Sequence, residues 1–225
     1  MTPSVDTVCV QGGYRPGNGE PRQVPIVQST TFKYDTGSDM AKLFDLEASG
    51  YFYSRLTLLW YNPNIYPQAE FDRRFQTLIK LIEDMGLADR VTVMAEARKS
   101  EDYYARVKGL EDEPEGGKRC TECFRLRLLE TARLAKHYGF DYFCTTLTLS
   151  RHKDAVRIND LAEEIARATG VAWLPSDFKK RDGENRSIEL CEQYNVYRQL
   201  YCGCEYSLHR REEGAPQPPL RQGSL

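Results

Sequence analysis

The apolar positions change period several times along the chain, and each change marks an element. Thr57–Tyr61 (TLLWY) is a continuous apolar run stopped by Asn62-Pro63, the pattern of a short buried strand. From Pro67, residues Phe71, Phe75, Leu78, Ile79, Ile82 and Met85 recur at helical intervals until Gly86, which predicts an amphipathic helix. Val91–Ala95 (VTVMA) predicts a second strand. A loop with a short helix follows and runs into the acidic stretch Glu111–Glu115. Thr121–Tyr138 predicts the next helix, with Gly139 as its C-cap, and Phe140–Thr146 (FDYFCTT) a third strand. Asp154–Thr169 predicts a helix carrying Val156, Ile158, Leu161, Ala162 and Ile165 and ending at Gly170, followed by a fourth strand at Val171–Leu174. A further helix begins after Asn185.

Strands separated by helices of this length imply βαβ units. The expected fold class is α/β: a parallel sheet with flanking helices in a Rossmann-like three-layer arrangement. Ligands of such sheets sit outside the carboxyl ends of the strands. The loops there begin near Tyr61, Ala95, Thr146 and Leu174, where the polar clusters YNPN, TLTLSRHK and SDFKKRDG fall.

Residues 1–56 hold six of the 16 glycines and four of the 11 prolines and show little helical period before Asp39, so they read as an irregular arm. Residues 208–225 are polar and proline-rich and read as a disordered tail. Of the 225 residues, 40% are hydrophobic and 28% charged, enough apolar content to fill a core between those ends. The net charge of −2 argues against a globally basic nucleic-acid binder but leaves room for a local basic patch. No apolar run approaches the 18 residues of a membrane span. The opening MTPSVDTVCVQGG lacks the architecture of a secretion signal, so the expected location is cytoplasmic.

Seven cysteines in that compartment point to metal or redox chemistry rather than to stapling disulfides. Cys120 and Cys123 form a C-x-x-C at a helix start, after Gly116-Gly117. Two thiolates at that spacing can grip one ion or one cluster edge. The helix N-terminus and Lys118, Arg119, Arg125 and Arg127 favour the thiolate form. Cys202 and Cys204 form a C-x-C that can serve as ligands or as a strained, reducible disulfide. Cys144 and Cys191 read as core thiols, and Cys9 has no partner in sequence.

His152 stands at a strand's carboxyl end, where it could move protons, contact phosphate or simply be solvated. His137 reads as a surface residue at a helix C-terminus. His209 falls in the tail. Asp177 and Asp182 could supply a ligand, a proton-transfer carboxylate or a helix cap. Between Lys118 and Arg133 there are five positive and two negative side chains. A second basic group is Lys179, Lys180, Arg181, Arg186 and Arg198, accompanied by Tyr197, Tyr201 and Tyr206. Cations interleaved with aromatics suit an RNA surface that tracks the backbone and stacks bases. A solvated face is the plainer alternative.

Five motifs in order carry a resemblance. They are YNPNIYP (61–67), GGKRCTEC (116–123) with the following FRLRLLETA, FDYFCTTLTLSRHK (140–153), DFKKRDGENRS (177–187) and YRQLYCGCEYS (197–207). Together they resemble the QueH-type epoxyqueuosine reductases over about Thr57 to Ser207. The resemblance implies an iron–sulfur oxidoreductase of tRNA modification that reduces the epoxide of epoxyqueuosine at the wobble position to give queuosine. It implies a [4Fe-4S] cluster, with an additional iron as a further option, and Cys120 and Cys123 as iron ligands. Cys202 and Cys204 would be a redox-active pair or lie beside the iron. His152 and Asp177 would be candidates for proton delivery or an extra ligand. Lys179, Lys180, Arg181, Arg186, Arg198 and Tyr201 would be contacts to the tRNA anticodon arm. An unidentified electron donor completes the set, and no membrane is involved.

One departure stands out. The family's first strand precedes an adjacent cysteine pair that completes its cluster site, and no adjacent pair occurs among these 225 residues. Residues 1–56 instead resemble the N-terminal arm of pyridoxal-phosphate enzymes of cysteine and methionine metabolism. Val24–Tyr34 (VPIVQSTTFKY) and Gly50–Arg55 (GYFYSR) carry that likeness, with Tyr53 and Arg55 in its phosphate-reaching unit. The lysine domain of those enzymes is absent, so no pyridoxal phosphate is expected. The expected organisation is therefore a chimera: an arm (1–56), a reductase-like α/β domain (57–207) and a tail (208–225). With two expected thiolates missing, cluster affinity should fall. The second reading of the chain is a non-catalytic zinc- or tRNA-binding remnant of the same family.

Overall fold

The computed structural model of the chain describes residues 56–212. The element order is β1 (Leu56–Trp60), α1 (Gln68–Asp84), β2 (Val91–Ala95), α2 (Ser100–Val107), α3 (Lys118–His137), β3 (Tyr142–Phe143), a 3₁₀ turn (Thr146–Leu149), α4 (Ala155–Thr169), β4 (Ala172–Trp173), α5 (Gly183–Gln193) and α6 (Glu205–Glu212). This is the expected α/β alternation. The predicted arm, with Cys9, Tyr53 and Arg55, lies outside the described residues, as does the tail beyond residue 212.

β1 and β2 pair in parallel over their full lengths, Leu56 opposite Val91 through Trp60 opposite Ala95. The crossover between them is α1, whose Phe71 and Phe75 rings lie 5.5 and 5.4 Å from Trp60. β3 and β4 form a second parallel pair joined through α4, with Phe143 opposite Trp173. Among the described residues these are two separate two-stranded ladders, not one sheet. Both pairs are parallel, as the α/β class requires.

The third and fourth strands are shorter than predicted because helix ends claim their flanks. Phe140 donates its N–H to Ala135 O across the left-handed Gly139 (φ +73°), so it closes α3 rather than opening β3. Thr145 accepts the N–H of Leu147 at 3.3 Å and starts the 3₁₀ turn. What remains is held by Ala172 N–H to Asp141 O and Leu174 N–H to Phe143 O.

α4 shows how the sequence dictates the larger core. Ala155, Ile158, Leu161, Ala162, Ile165 and Ala166 recur on one face and are buried. Asp154 caps the helix by accepting the N–H of Arg157, and Gly170 ends it in the left-handed conformation. That face packs on Phe124, Leu128, Ala132 and Ala135 of α3 and on Phe143 and Trp173. Val156, placed by periodicity on the apolar set, is instead 65% exposed. Asn159 joins the core to the loop after β4. It accepts from Trp173 Nε1 (2.9 Å) and Ser176 N (3.1 Å) and donates to Ala155 O (2.8 Å) and Ser176 O (3.0 Å).

Two boundaries differ in ways that matter to the site. α3 starts at Lys118, three residues before the predicted Thr121, so Cys120 and Cys123 stand inside its first turns. Its N-cap, Gly117, has no side chain, and Glu113 substitutes by accepting the N–H of Lys118 at 2.9 Å. The predicted tail is helical at its start: α6 carries His209, and Arg210 of the same helix donates to Glu113 O at 2.7 Å.

Candidate functional site

The two cysteine pairs, about 80 residues apart in sequence, share one space. Cys202 and Cys204 hold their sulfurs 3.5 Å apart. Cys204 is buried against Tyr103 and Val107 of α2, with Cys123, Cys202 and Tyr206 packed on the same cluster. Cys202 lies close enough to Cys120 and Cys123 to act on both electrostatically. All six cysteines of the described residues are free thiols.

Each pair rests on a glycine the backbone requires. Cys120 Sγ accepts the N–H of Gly116 at 3.2 Å, with Gly116 at φ +83°. A Cβ on Gly117 would stand 2.4 Å from the Glu113 carboxylate and 3.0 Å from Pro114 O. Gly203, between the other two cysteines, sits at φ +118° and its carbonyl accepts the N–H of Tyr66 at 2.8 Å. The YNPN loop therefore touches the C-x-C loop directly.

The four sulfurs are not equivalent. Burial pushes the thiols of Cys120 and Cys204 up, and that of Cys123 up to about 11. At Cys204 the bond to Cys202 pushes further in the same direction. Cys202 goes the other way: its contact with Cys204 and the Lys153 ammonium hold it well below the ordinary thiol range, against its own burial.

Of the groups around the sulfurs, Arg127 was among the cations expected beside the C-x-x-C, whereas Lys153 and Tyr103 were missed. Lys153, one residue after the favoured His152, faces Cys202, Cys120 and Cys123. Its side chain is 13% exposed, lies 3.9 Å from Glu115 and sits over the Phe124 ring. Burial works to lower the Lys153 pKa, but the sulfurs and Glu115 outweigh it. Arg127 shares the α3 face of Cys120 and Cys123 by its spacing and donates to Asn62 Oδ1 at 2.6 Å. Tyr103 is 2% exposed beside Cys204. The available signals were the neighbour in LSRHK, the helical spacing 120–123–127 and the Tyr103/Val107 pair on α2.

The remaining predicted site residues are elsewhere or engaged. His152 and Asp177 make no hydrogen bond or ion pair with a thiol among the described residues. His152 Nδ1 is buried without a partner, and Asp177 pairs with Lys179 at 2.8 Å. Lys179 is 10% exposed and also donates to Thr148 O. Arg186 pairs with Glu189 on α5, and Arg181 takes a left-handed turn position at φ 53°. Lys180 and Arg198 are exposed. Tyr201 is an internal brace whose hydroxyl donates to Tyr66 O beneath the Arg74 guanidinium. Asp182 precedes α5 at the cap position, and its carboxylate accepts from the Asn185 side chain. Cys144 fits the core reading, packed on the larger core with its thiol pushed up to about 11 by burial. Cys191 is half-buried on α5.

Four thiols bordering one space are soft donors of the kind that hold iron–sulfur clusters or zinc. Among the described residues, no three Cys, His, Asp or Glu side chains close on a common point as one bound ion requires. The C-x-x-C pair and the C-x-C pair are the soft donors this site offers. No described helix is long and apolar enough to cross a membrane.

The model of the family described as epoxyqueuosine reductase QueH matches residues 40–210. Relatives of that name are similar over most of the described chain. That of Streptococcus pyogenes is 43% identical over 157 residues, 69% of this chain and 62% of the relative. That of Staphylococcus epidermidis is 40% identical over 159 residues, 69% and 67%. That of Thermotoga maritima is 32% identical over 168 residues, 74% and 86%. The chain thus spans a little under two thirds of the Streptococcus relative. A match of this breadth, through the elements that carry all four clustered thiols, places the chain in the epoxyqueuosine reductase QueH family.

Proposed function

We propose that this protein reduces epoxyqueuosine to queuosine in tRNA, a cytoplasmic reaction at the wobble nucleotide. The observation that carries the reading is the meeting of the C-x-x-C and C-x-C thiols beside Lys153, in a chain of the QueH family. Epoxide reduction breaks two C–O bonds, forms a C=C bond and releases the oxygen as water, which takes two electrons and two protons. The dithiol Cys202/Cys204, on becoming a disulfide, supplies both. An electron donor outside the chain then restores it.

Cys120 and Cys123 would hold a [4Fe-4S] cluster from the α3 side, with the Gly116 N–H bond to Cys120 stabilising its sulfur as a ligand. When bound, the cluster supplies electrons one at a time. An additional iron, where one is bound, would lie beside the C-x-C pair. Lys153 orients an oxyanion or holds a thiolate. Tyr103 and Phe124 exclude water from the sulfur side. The exposed Lys180 and Arg198, with Arg181 and Arg186, would meet the phosphates of the anticodon arm. We further propose that residues 1–56 are a separate arm joined to the reductase unit.

Anaerobic reconstitution, counting iron and sulfide per chain, followed by a reductase assay on epoxyqueuosine-containing tRNA, tests this. About four of each, lost in Cys120→Ala, with queuosine formed, is the expected result. Zinc without sulfide, and no turnover, would overturn it in favour of a binding remnant.

A further inference from the structure

Arg74, on α1, carries no thiol chemistry, yet its guanidinium reaches the C-x-C loop. Its side chain is 10% exposed and its Nε pairs with Glu70 at 2.7 Å. Nη2 donates to Tyr201 O at 3.2 Å and Nη1 to Cys202 O at 3.4 Å. The guanidinium lies 5.1 Å from the centre of the Tyr201 ring. Glu70 in turn accepts from the Tyr197 hydroxyl at 3.0 and 3.1 Å. From the other side, Tyr201 donates to Tyr66 O, and Tyr66 N–H donates to Gly203 O. Gly203 backs so closely on Arg74 that a Cβ there would stand 2.9 Å from Nη1.

Residues 201–203 are thus pinned at three successive carbonyls, two by Arg74 and one by Tyr66. The restraint acts on the backbone that sets the sulfur separation. An untethered C-x-C loop with a central glycine samples many conformers in which the sulfurs point apart. Held at 3.5 Å, the sulfurs need only a small approach to the 2.05 Å of a disulfide.

We propose that Arg74 is a positioning residue for the Cys202/Cys204 pair, fixing the loop so that the two sulfurs face each other and setting how readily they interconvert with a disulfide. The proposal rests on the reading of that pair as the two-electron store. The balanced step is two thiols giving a disulfide, two protons and two electrons, with the electrons and protons taken up by an oxidised dithiol reagent. Loss of the clamp lowers the effective concentration of one sulfur at the other, so the disulfide becomes harder to form and its reduction potential rises.

The test uses the full metal-free chain, equilibrated in oxidised and reduced dithiothreitol. Differential alkylation and peptide mass mapping read the Cys202–Cys204 couple apart from the other thiols. Arg74→Met is expected to shift the equilibrium about tenfold toward the dithiol, a rise of about 30 mV for a two-electron couple. Arg74→Lys, with one ammonium for three acceptors, is expected to fall between. A wild-type couple left unmoved by Arg74→Met overturns the proposal alone. A wild-type pair that never forms a disulfide overturns both the redox reading and the proposal. Should Arg74→Met fail to fold, Glu70→Gln and Tyr201→Phe loosen the same clamp from its two ends, and an unmoved potential in both overturns it equally.

Discussion

Asn159→Ala tests whether the loop after β4 is built by one amide. The wild-type side chain makes four hydrogen bonds of 2.8–3.1 Å. Ala155 O keeps its own place in the α4 ladder after the change. Trp173 Nε1, Ser176 N and Ser176 O lose a partner in a region where Trp173 is 4% and Ser176 8% exposed. A buried polar group left without a partner costs about 1–3 kcal/mol. Three of them, partly rescued by water entering the vacated volume, give about 3–6 kcal/mol. That is a large share of a domain stability of about 5–15 kcal/mol and lowers Tm by about 10 °C or more. Urea unfolding of the metal-free, reduced chain measures it, and Trp173, one of two tryptophans, reports the site by fluorescence. The expected result is a lower midpoint at unchanged slope. A loss below about 1 kcal/mol would refute the claim that this amide carries the loop.

Two further substitutions test the support of the thiol site, both by urea midpoint. Gly203→Ala places a methyl against Arg74 and Ile65 at φ +118°, whereas Gly86→Ala at φ +65° meets nothing within 4 Å. The first should cost about 3 kcal/mol and the second about 1 kcal/mol, and equal costs would remove the packing argument for Gly203. Arg119 is 2% exposed, donates to Leu110 O at 3.1 Å and Glu111 O at 2.6 Å and lies over the Tyr206 ring. Arg119→Met should cost about 3 kcal/mol, with Arg119→Lys recovering less than half because an ammonium lacks the planar face that stacks on Tyr206; a loss within about 0.5 kcal/mol for Arg119→Met would count against it.

Elements with a clean period were legible in the sequence. Val91–Ala95 matches residue for residue, and α1 and α4 match within about a residue, since caps and glycines mark their ends locally. The start of α3 was not legible because its cap comes from Glu113, five residues before Lys118, and no sequence rule looks there. β3 was over-read because FDYFCTT has strand composition throughout, while the chain spends Phe140 on closing a helix and Thr145 on opening a turn. At the site, both cysteine pairs were legible from spacing, and their meeting was not, since it depends on tertiary closure. Within the basic cluster, charge in sequence did not separate the paired Lys179, which meets Asp177, from the exposed Lys180 and Arg198.

The acidic stretch Glu111–Glu115 makes that last point in the opposite direction. Of its five residues three are glutamates, and each is committed. Glu111 accepts the N–H of Gly109 at 2.9 Å, which with its backbone bonds holds its carboxyl below the usual range. Glu113 caps α3 in the absence of a capping side chain at Gly117. Glu115 accepts from Ser207 at 3.3 Å and lies 3.9 Å from Lys153. Ser207 in turn accepts the N–H of Cys202 at 3.4 Å. The GGKRC loop, the HK pair and the CGCEYS loop, three motifs spread over about 90 residues, therefore meet on one short acidic segment. This arrangement resolves a conflict in the site's electrostatics. Sulfurs that are to bind metal or attack a disulfide need cations nearby, but a lysine buried among thiols with no carboxylate would tend to lose its proton. Glu115, 3.9 Å away, adds to Cys202 and Cys120 in opposing the effect of burial on Lys153.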